Sequence, residues 1–161
     1  MGDLLVPLYA IEEDLRKASA PEGFRLQRPL SADRSRVIEW VRQHFSDRWA
    51  DEVAIAFSGP PLTCHVALNE QNELVGFACY DVSWKGFFGP TGVSESCRGK
   101  GIGTALLKRA LHSMRESGYA YAVIGYSGAD EYYGKAVKAI PIPDSEPGAY
   151  REWIAEEGKR F

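Results

Sequence analysis

A chain of 161 residues has the size of one domain with a single core, and its 45% hydrophobic and 25% charged residues are ordinary for a soluble globular protein. A net charge of −3 without a basic run argues against a nucleic-acid partner, and no apolar stretch nears the ~20 residues of a spanning helix, so no membrane is expected. The start lacks the basic-then-apolar pattern of a signal peptide, and Cys64, Cys79 and Cys97, odd in number and widely spaced, read as reduced thiols of a cytoplasmic protein. No CxxC or HExxH spacing occurs, so no metal is expected. His44, His65 and His112 lie far apart and read as packing residues.

Residues 1–23 mix apolar and charged positions. Leu8, Ile11, Glu12 and Leu15 predict a short accessory helix, which Pro21-Glu22-Gly23 ends. Residues 24–28 alternate as a strand. Ser31 then caps a helix with Val37, Trp40, Val41 and Phe45 on its apolar face. Residues 47–57 predict a second helix with Trp49, Val53 and Ala56 inward, broken by Ser58-Gly59-Pro60-Pro61. Two strands, 62–68 and 73–80, flank a polar hairpin loop at 69–72. Residues 87–93 form a strand carrying Pro90 and Gly92, which predicts a bulge or splay. A helix runs from Gly101 to Ser117-Gly118, where Gly118 suits a left-handed C-cap. Residues 119–126 predict a strand, 130–139 a short helix, 139–143 an extended run and 150–157 a terminal helix. This order is α/β with a mixed sheet.

The chemistry concentrates at Val93-Ser94-Glu95-Ser96-Cys97-Arg98-Gly99-Lys100-Gly101-Ile102-Gly103-Thr104. Ile102, Leu106, Ala110 and Met114 share a helical face, so Arg98 to Thr104 stand at a helix N-terminus. Free N–H groups and the helix dipole favour an anion there. Gly99, Gly101 and Gly103 let a ligand approach the backbone, and Arg98 and Lys100 add charge that phosphates can meet. Gly101 follows Lys100 where a P-loop needs Ser or Thr, and Thr104 replaces the third glycine of a dinucleotide fingerprint. The stretch resembles the acyl-CoA signature [RQ]-x-x-G-x-[GA] of the GNAT superfamily of N-acetyltransferases, with Arg98, Gly101 and Gly103 at its fixed positions.

The resemblance implies a single-domain GNAT-like fold over residues 1–161. It implies a mixed, mostly antiparallel sheet with splayed central strands flanked by helices. The core would span about 24–142, with 1–23 as an N-terminal accessory helix. It implies acetyl-CoA as co-substrate, with the pyrophosphate cradled at Arg98, Gly99, Lys100, Gly101, Ile102, Gly103 and Thr104, and the acyl arm along Thr91, Gly92 and Val93. Tyr132-Tyr133-Gly134-Lys135 is similar to the family's motif after the fifth strand, although the glycine and second aromatic of that motif are missing. Tyr133 falls on the tyrosine that often protonates the leaving thiolate.

Amide formation from a thioester needs a neutral amine, a polarised carbonyl and a proton for the thiolate. Asp81, Glu95, Asp130 and Glu131 are candidate proton acceptors, with Asp81 and Glu131 taken as catalytic beside Tyr133. Four tryptophans, Trp40, Trp49, Trp84 and Trp153, raise the expectation of an aromatic acceptor wall. Trp84, placed in a loop, is the residue expected to meet substrate. The function expected is acetyl transfer to a primary amine of a small molecule, of amino-sugar or polyamine type, by direct attack in a ternary complex. The alternatives are a non-catalytic acyl-CoA-binding regulatory module, a protein N-terminal or lysine acetyltransferase, or a pure interaction domain. The expected assembly is a monomer or homodimer.

Overall fold

Alternating and β-rich runs fold into one seven-stranded sheet, and the amphipathic runs between them become its covering helices. A computed structural model describes residues 2–154. Its strands are β1 (Leu4–Pro7), β2 (Arg25–Gln27), β3 (Cys64–Leu68), β4 (Leu74–Tyr80), β5 (Phe87–Val93), β6 (Tyr121–Ile124) and β7 (Ile140–Pro141). Its α-helices are α1 (Glu12–Lys17), α2 (Arg34–His44), α3 (Asp47–Ile55), α4 (Ile102–Glu116) and α5 (Asp130–Val137). The strand order is β2-β3-β4-β5-β6-β1-β7. Every neighbouring pair is antiparallel except β5 and β6, which run parallel.

Period two sorts the side chains of the central hairpin. Cys64, Val66, Phe77 and Cys79 pack with Val37, Val41, Ala50 and Val53 of α2 and α3. Ala67, Ala78 and Tyr80 pack on the other side with Ile102, Leu106, Ala110 and Met114 of α4. The helical face read from the sequence is therefore the buried face of α4. His65 is buried with its Nε2 2.8 Å from Ser113 Oγ, and burial lowers its pKa to about 3, with Arg28 and Arg109 adding to the shift. It remains a neutral packing residue.

Three local readings change. Residues 4–7 form a strand, not part of an accessory helix, and only Glu12–Lys17 is α-helical in the leading segment. The strand is four residues long and its partner β6 is distant in sequence, so local periodicity does not reveal it. Ser31 opens a 3₁₀ turn rather than capping α2, which begins at Arg34 without a side-chain cap. Ser46 caps α3, accepting from the Trp49 N–H at 3.1 Å. A 3₁₀ turn at Ala149–Glu152 stands where a terminal helix was expected, and residues 155–157 of that expectation lie outside the described residues.

The expected disturbance at Pro90 is present on both edges of β5. Its ladder with β4 shifts register between Ala78 and Tyr80. Its ladder with β6 has only two rungs, Phe87 with Val123 and Phe88 with Ile124. Beyond Phe88 the two strands part. On the helix side, the Phe45 ring lies on the bare backbone of Gly92, where a Cβ would stand 2.7 Å from Cε1 and closer still to Cζ. Phe45 is fixed there by Trp49 and Phe77, at centroid distances of 5.2 and 5.6 Å. Gly92→Ala therefore overpacks this contact and is expected to cost about 1–3 kcal/mol, read as a lower midpoint in urea unfolding. An unchanged midpoint would mean that the Phe45 ring moves aside freely.

Candidate active site

The glycine turn is bare. Gly99 and Gly101 have φ of +79° and +89°, a region that side chains other than glycine's rarely adopt. A Cβ at Gly99 would meet nothing within 4 Å, and one at Gly101 would meet only Pro21 Cγ at 3.6 Å. Gly101 is the N-cap of α4 and contributes no side chain. The N–H groups of Ile102, Gly103 and Thr104 precede the first intrahelical donor, Ala105, which bonds to the Gly101 carbonyl. The Lys100 ammonium lies 5.8 Å from the Phe24 ring centroid. Arg98 Nε donates to the Val93 carbonyl at 3.1 Å and so ties the turn to the end of β5.

The same end of β5 offers a donor to the gap. The Ser94 N–H bonds back to Val75 of β4. Strand alternation then points the Val93 N–H away from β4, on the side from which Arg98 reaches the Val93 carbonyl. The gap opens into a cavity of about 340 Å³. Phe88, Pro90 and Thr91 of β5, Ile124 at the end of β6 with residues 125–129 after it, and Tyr133 of α5 line one part of it. Trp49 and Glu52 of α3, with Tyr150 and Trp153 near the end of the described chain, line the other.

The two adjacent tyrosines part company. The Tyr132 hydroxyl is 2.7 Å from Thr104 Oγ1, at the glycine turn. Tyr133 faces the cavity, and burial, with the neighbouring Tyr132, pushes its phenol up to about 12. Thr91 also reaches the cavity, while its hydroxyl bonds to the Phe77 carbonyl at 3.1 Å.

The other expected site residues lie off the cavity. Asp81, at φ +55°, accepts the Gly86 N–H at 2.7 Å and the Tyr119 hydroxyl at 2.9 Å. Its carboxylate shapes the loop between β4 and β5. Glu131 is solvent-exposed and pairs with Lys135 at 3.0 Å one helical turn on. Trp84 is 44% exposed beside Phe87, and of the four tryptophans only Trp49 and Trp153 line the cavity.

Sequence reading missed Glu52. Its carboxylate accepts the Ser83 hydroxyl at 2.5 Å, and burial raises its pKa against the opposing effect of that bond. A signal existed: Glu52 stands at i+3 within the apolar series Trp49, Val53, Ala56. Tyr150 is likewise pushed up to about 12, by burial first and then by the Glu52 carboxylate. Among the described residues no cluster of three or more His, Cys, Asp or Glu could hold a metal ion.

A comparison with curated proteins finds no match. Solved structures do match in fold. A GCN5-related N-acetyltransferase from Sphaerobacter thermophilus is 20% identical over 88% of this chain and 48% of its own, with a TM-score of 0.66. A fungal GCN5-related glucosamine N-acetyltransferase region, within a multi-domain GH3 β-N-acetylglucosaminidase, is 14% identical over 88% of this chain and 19% of its own, at 0.67. A GNAT family acetyltransferase from Brucella melitensis, in complex with acetyl-CoA, is 20% identical over 69% of this chain and 81% of its own, at 0.55. The chain thus spans about half the length of the first and a fifth of the second. The model of the Acetyltransferase (GNAT) family matches residues 29–136, which take in the glycine turn, the parted strands and Tyr133. The chain belongs to this family of acyltransferases, whose co-substrate is acetyl-CoA.

Proposed function

We propose that this chain is an acetyl-CoA-dependent N-acetyltransferase that acts on a primary amine of a small molecule by direct attack in a ternary complex. The observation that carries this reading is the continuity of the bare α4 N-terminus with the parted strands and a buried phenol. The turn at 98–104 receives the pyrophosphate, with Arg98 and Lys100 beside it. The acyl arm lies along Thr91, Gly92 and Val93, where the Val93 N–H polarises the carbonyl. Tyr133 donates its proton to the leaving sulfur. Holding both substrates in attack geometry is worth roughly 7–11 kcal/mol and is the largest contribution. Asp81 and Glu131 have no part here, since their carboxylates are engaged away from the cavity.

The acceptor is a compact monocation. A polyamine carries several ammonium groups and would call for several acids, whereas among the described residues Glu52 is the one acidic side chain lining the cavity. An amino sugar, with one ammonium and a ring to lay on Trp49 or Trp153, suits this wall better. A protein N-terminal or lysine substrate and a non-catalytic regulatory module are the competing readings. Free thiol release from acetyl-CoA across a panel of amino sugars, polyamines and peptides separates them. Absence of thiol release with every amine tried would leave only the binding module. We place the protein in the cytoplasm on its unpaired thiols Cys64, Cys79 and Cys97. We take it to act as a monomer or homodimer.

Two outcomes follow for the donor side. Gly103 is helical, and a Cβ there meets only Val93 Cγ2 at 3.6 Å, so Gly103→Val folds while blocking the turn. Acetyl-CoA affinity by calorimetry should fall roughly ten- to hundredfold, as expected for losing about 1.5–3 kcal/mol of charge-assisted hydrogen bonding. Unchanged affinity would remove the turn from the site.

Tyr133→Phe keeps the ring and removes the donor, so kcat should drop by ~10²–10⁴ with little change in KM for acetyl-CoA. Because the phenol sits at about 12, it stays protonated as pH rises through ~10, where an ordinary tyrosine ionises. The wild-type kcat should therefore show no alkaline loss up to that pH. Normal turnover by Tyr133→Phe would make it a packing residue.

A further inference from the structure

Tyr150 and Trp153, which complete the far wall of the cavity, lie beyond the residues that match the family model. Asp3, at the foot of β1, is buried. Its Oδ1 accepts the Tyr126 N–H and its Oδ2 the Ala149 N–H, each at 3.0 Å. Gly148, at φ +87°, leaves no room for a Cβ against that carboxylate. One buried acid thus ties the exit of β6 to residues 148–154. At the other end of this segment, the Arg48 guanidinium lies 4.4 Å from the Trp153 ring centroid, and its Nη2 donates to the Ile154 carbonyl at 2.6 Å. Tyr150 lies on the bare backbone of Gly125, where a Cβ would stand 3.0 Å from its Cδ2. The Tyr150 and Trp153 rings, 5.8 Å apart, thereby share the cavity wall with Trp49 and Glu52.

We propose that Glu52 and the aromatic wall of Trp49, Tyr150 and Trp153 form the acceptor subsite, which binds the ammonium of a monocationic amine and takes its proton. Residues 148–154 are then the specificity element. This rests on the acetyltransferase reading above. A carboxylate among aromatic faces is attractive to a cation through both charge and ring quadrupoles. The neighbours of Glu52 are mainly neutral. They are the Tyr150 phenol, the Ser83 hydroxyl and the Cys79 thiol of β4, which burial holds well above its usual pKa. Arg48, on the same helix, is turned to Trp153. Among the described residues no Lys, Arg or His lines the cavity beside Glu52.

The step balances. The ammonium gives one proton to the Glu52 carboxylate and becomes a neutral amine. The nitrogen lone pair forms the N–C bond, the C–S bond breaks, and the Tyr133 proton goes to sulfur. The second nitrogen proton returns through water to the Tyr133 oxygen, and Glu52 releases its proton to solvent. One proton leaves per acetyl group transferred.

Glu52→Gln keeps the shape and an acceptor for Ser83 while removing the charge. With glucosamine and a neutral-bodied monoamine as probes, its amine KM should rise about ten- to hundredfold. Its kcat at neutral pH should fall by ~10²–10⁴, recovering as pH rises and the amine arrives uncharged. KM for acetyl-CoA should hold. Calorimetric binding of the same amines to the CoA-loaded protein gives a reading independent of turnover, and Glu52→Gln should weaken it by the same factor. Should that variant not fold, Trp153→Leu should raise amine KM and leave acetyl-CoA KM alone. Transfer by the wild type with unaltered amine KM, binding and pH profile in these variants would overturn the subsite. So would the absence of amine binding to the loaded wild type. No transfer to any amine, with binding that still depends on Glu52, would instead overturn the acetyltransferase reading and leave the subsite standing.

Discussion

Two rungs join β5 to β6, and the site depends on there being only two. A continuous parallel ladder would fill the gap with backbone hydrogen bonds and leave no polar group for a ligand. The pairing stops at Phe88 and Ile124, and the chain turns away at Tyr126, at φ +50°. The strands stay joined at Phe87 and Phe88, so the opening is a wedge and not a break. Its rigid side is β5, held by β4 along most of its length. The unpaired edge is thus stiff enough to hold the Val93 N–H in a fixed direction at the gap.

Around that wedge the chain distributes tasks by element. A helix N-terminus supplies an anion site whose charge comes from the backbone. A short helix supplies two tyrosines that face different ends of one ligand path, one at Thr104 and one in the cavity. A helix on the opposite face of the sheet supplies a carboxylate in partial burial. The phenol and the carboxylate are both shifted upward by burial, yet with opposite consequences. The phenol is kept protonated and able to donate. The carboxylate becomes a stronger base than an exposed one. One enclosure thus favours the protonated form of both groups, which leaves a donor in the phenol and a more basic carboxylate in Glu52.

What was legible in the sequence was what is local. The glycine turn, α4 with its buried stripe, and the disturbance at Pro90 all follow from residues within a few positions of each other. The position of Tyr133 followed from the resemblance. What was not legible is set by distant partners. The strand at Leu4–Pro7 exists because β6 and β7 accept it on either side. Asp81 looked like a free acid in a loop, but Tyr119, far along the chain, engages it. Glu52 could have been singled out as an acid within an apolar helical face. Trp84 drew attention by standing in a loop, while Trp49 and Trp153 reach the cavity through packing that no spacing rule reveals.

The seat of β1 between β6 and β7 also bears on the order in which the molecule is put together. Leu4 leaves the ribosome well over a hundred residues before its partners Ile124 and Pro141. The hairpin of β3 and β4 and the packing of α4 on it close over much shorter loops, which are quicker to form. β1 must therefore wait for β6 and β7, and Asp3 can clasp Tyr126 and Ala149 only then. The glycine turn at 98–104 is therefore synthesised before Tyr150 and Trp153 of the cavity wall.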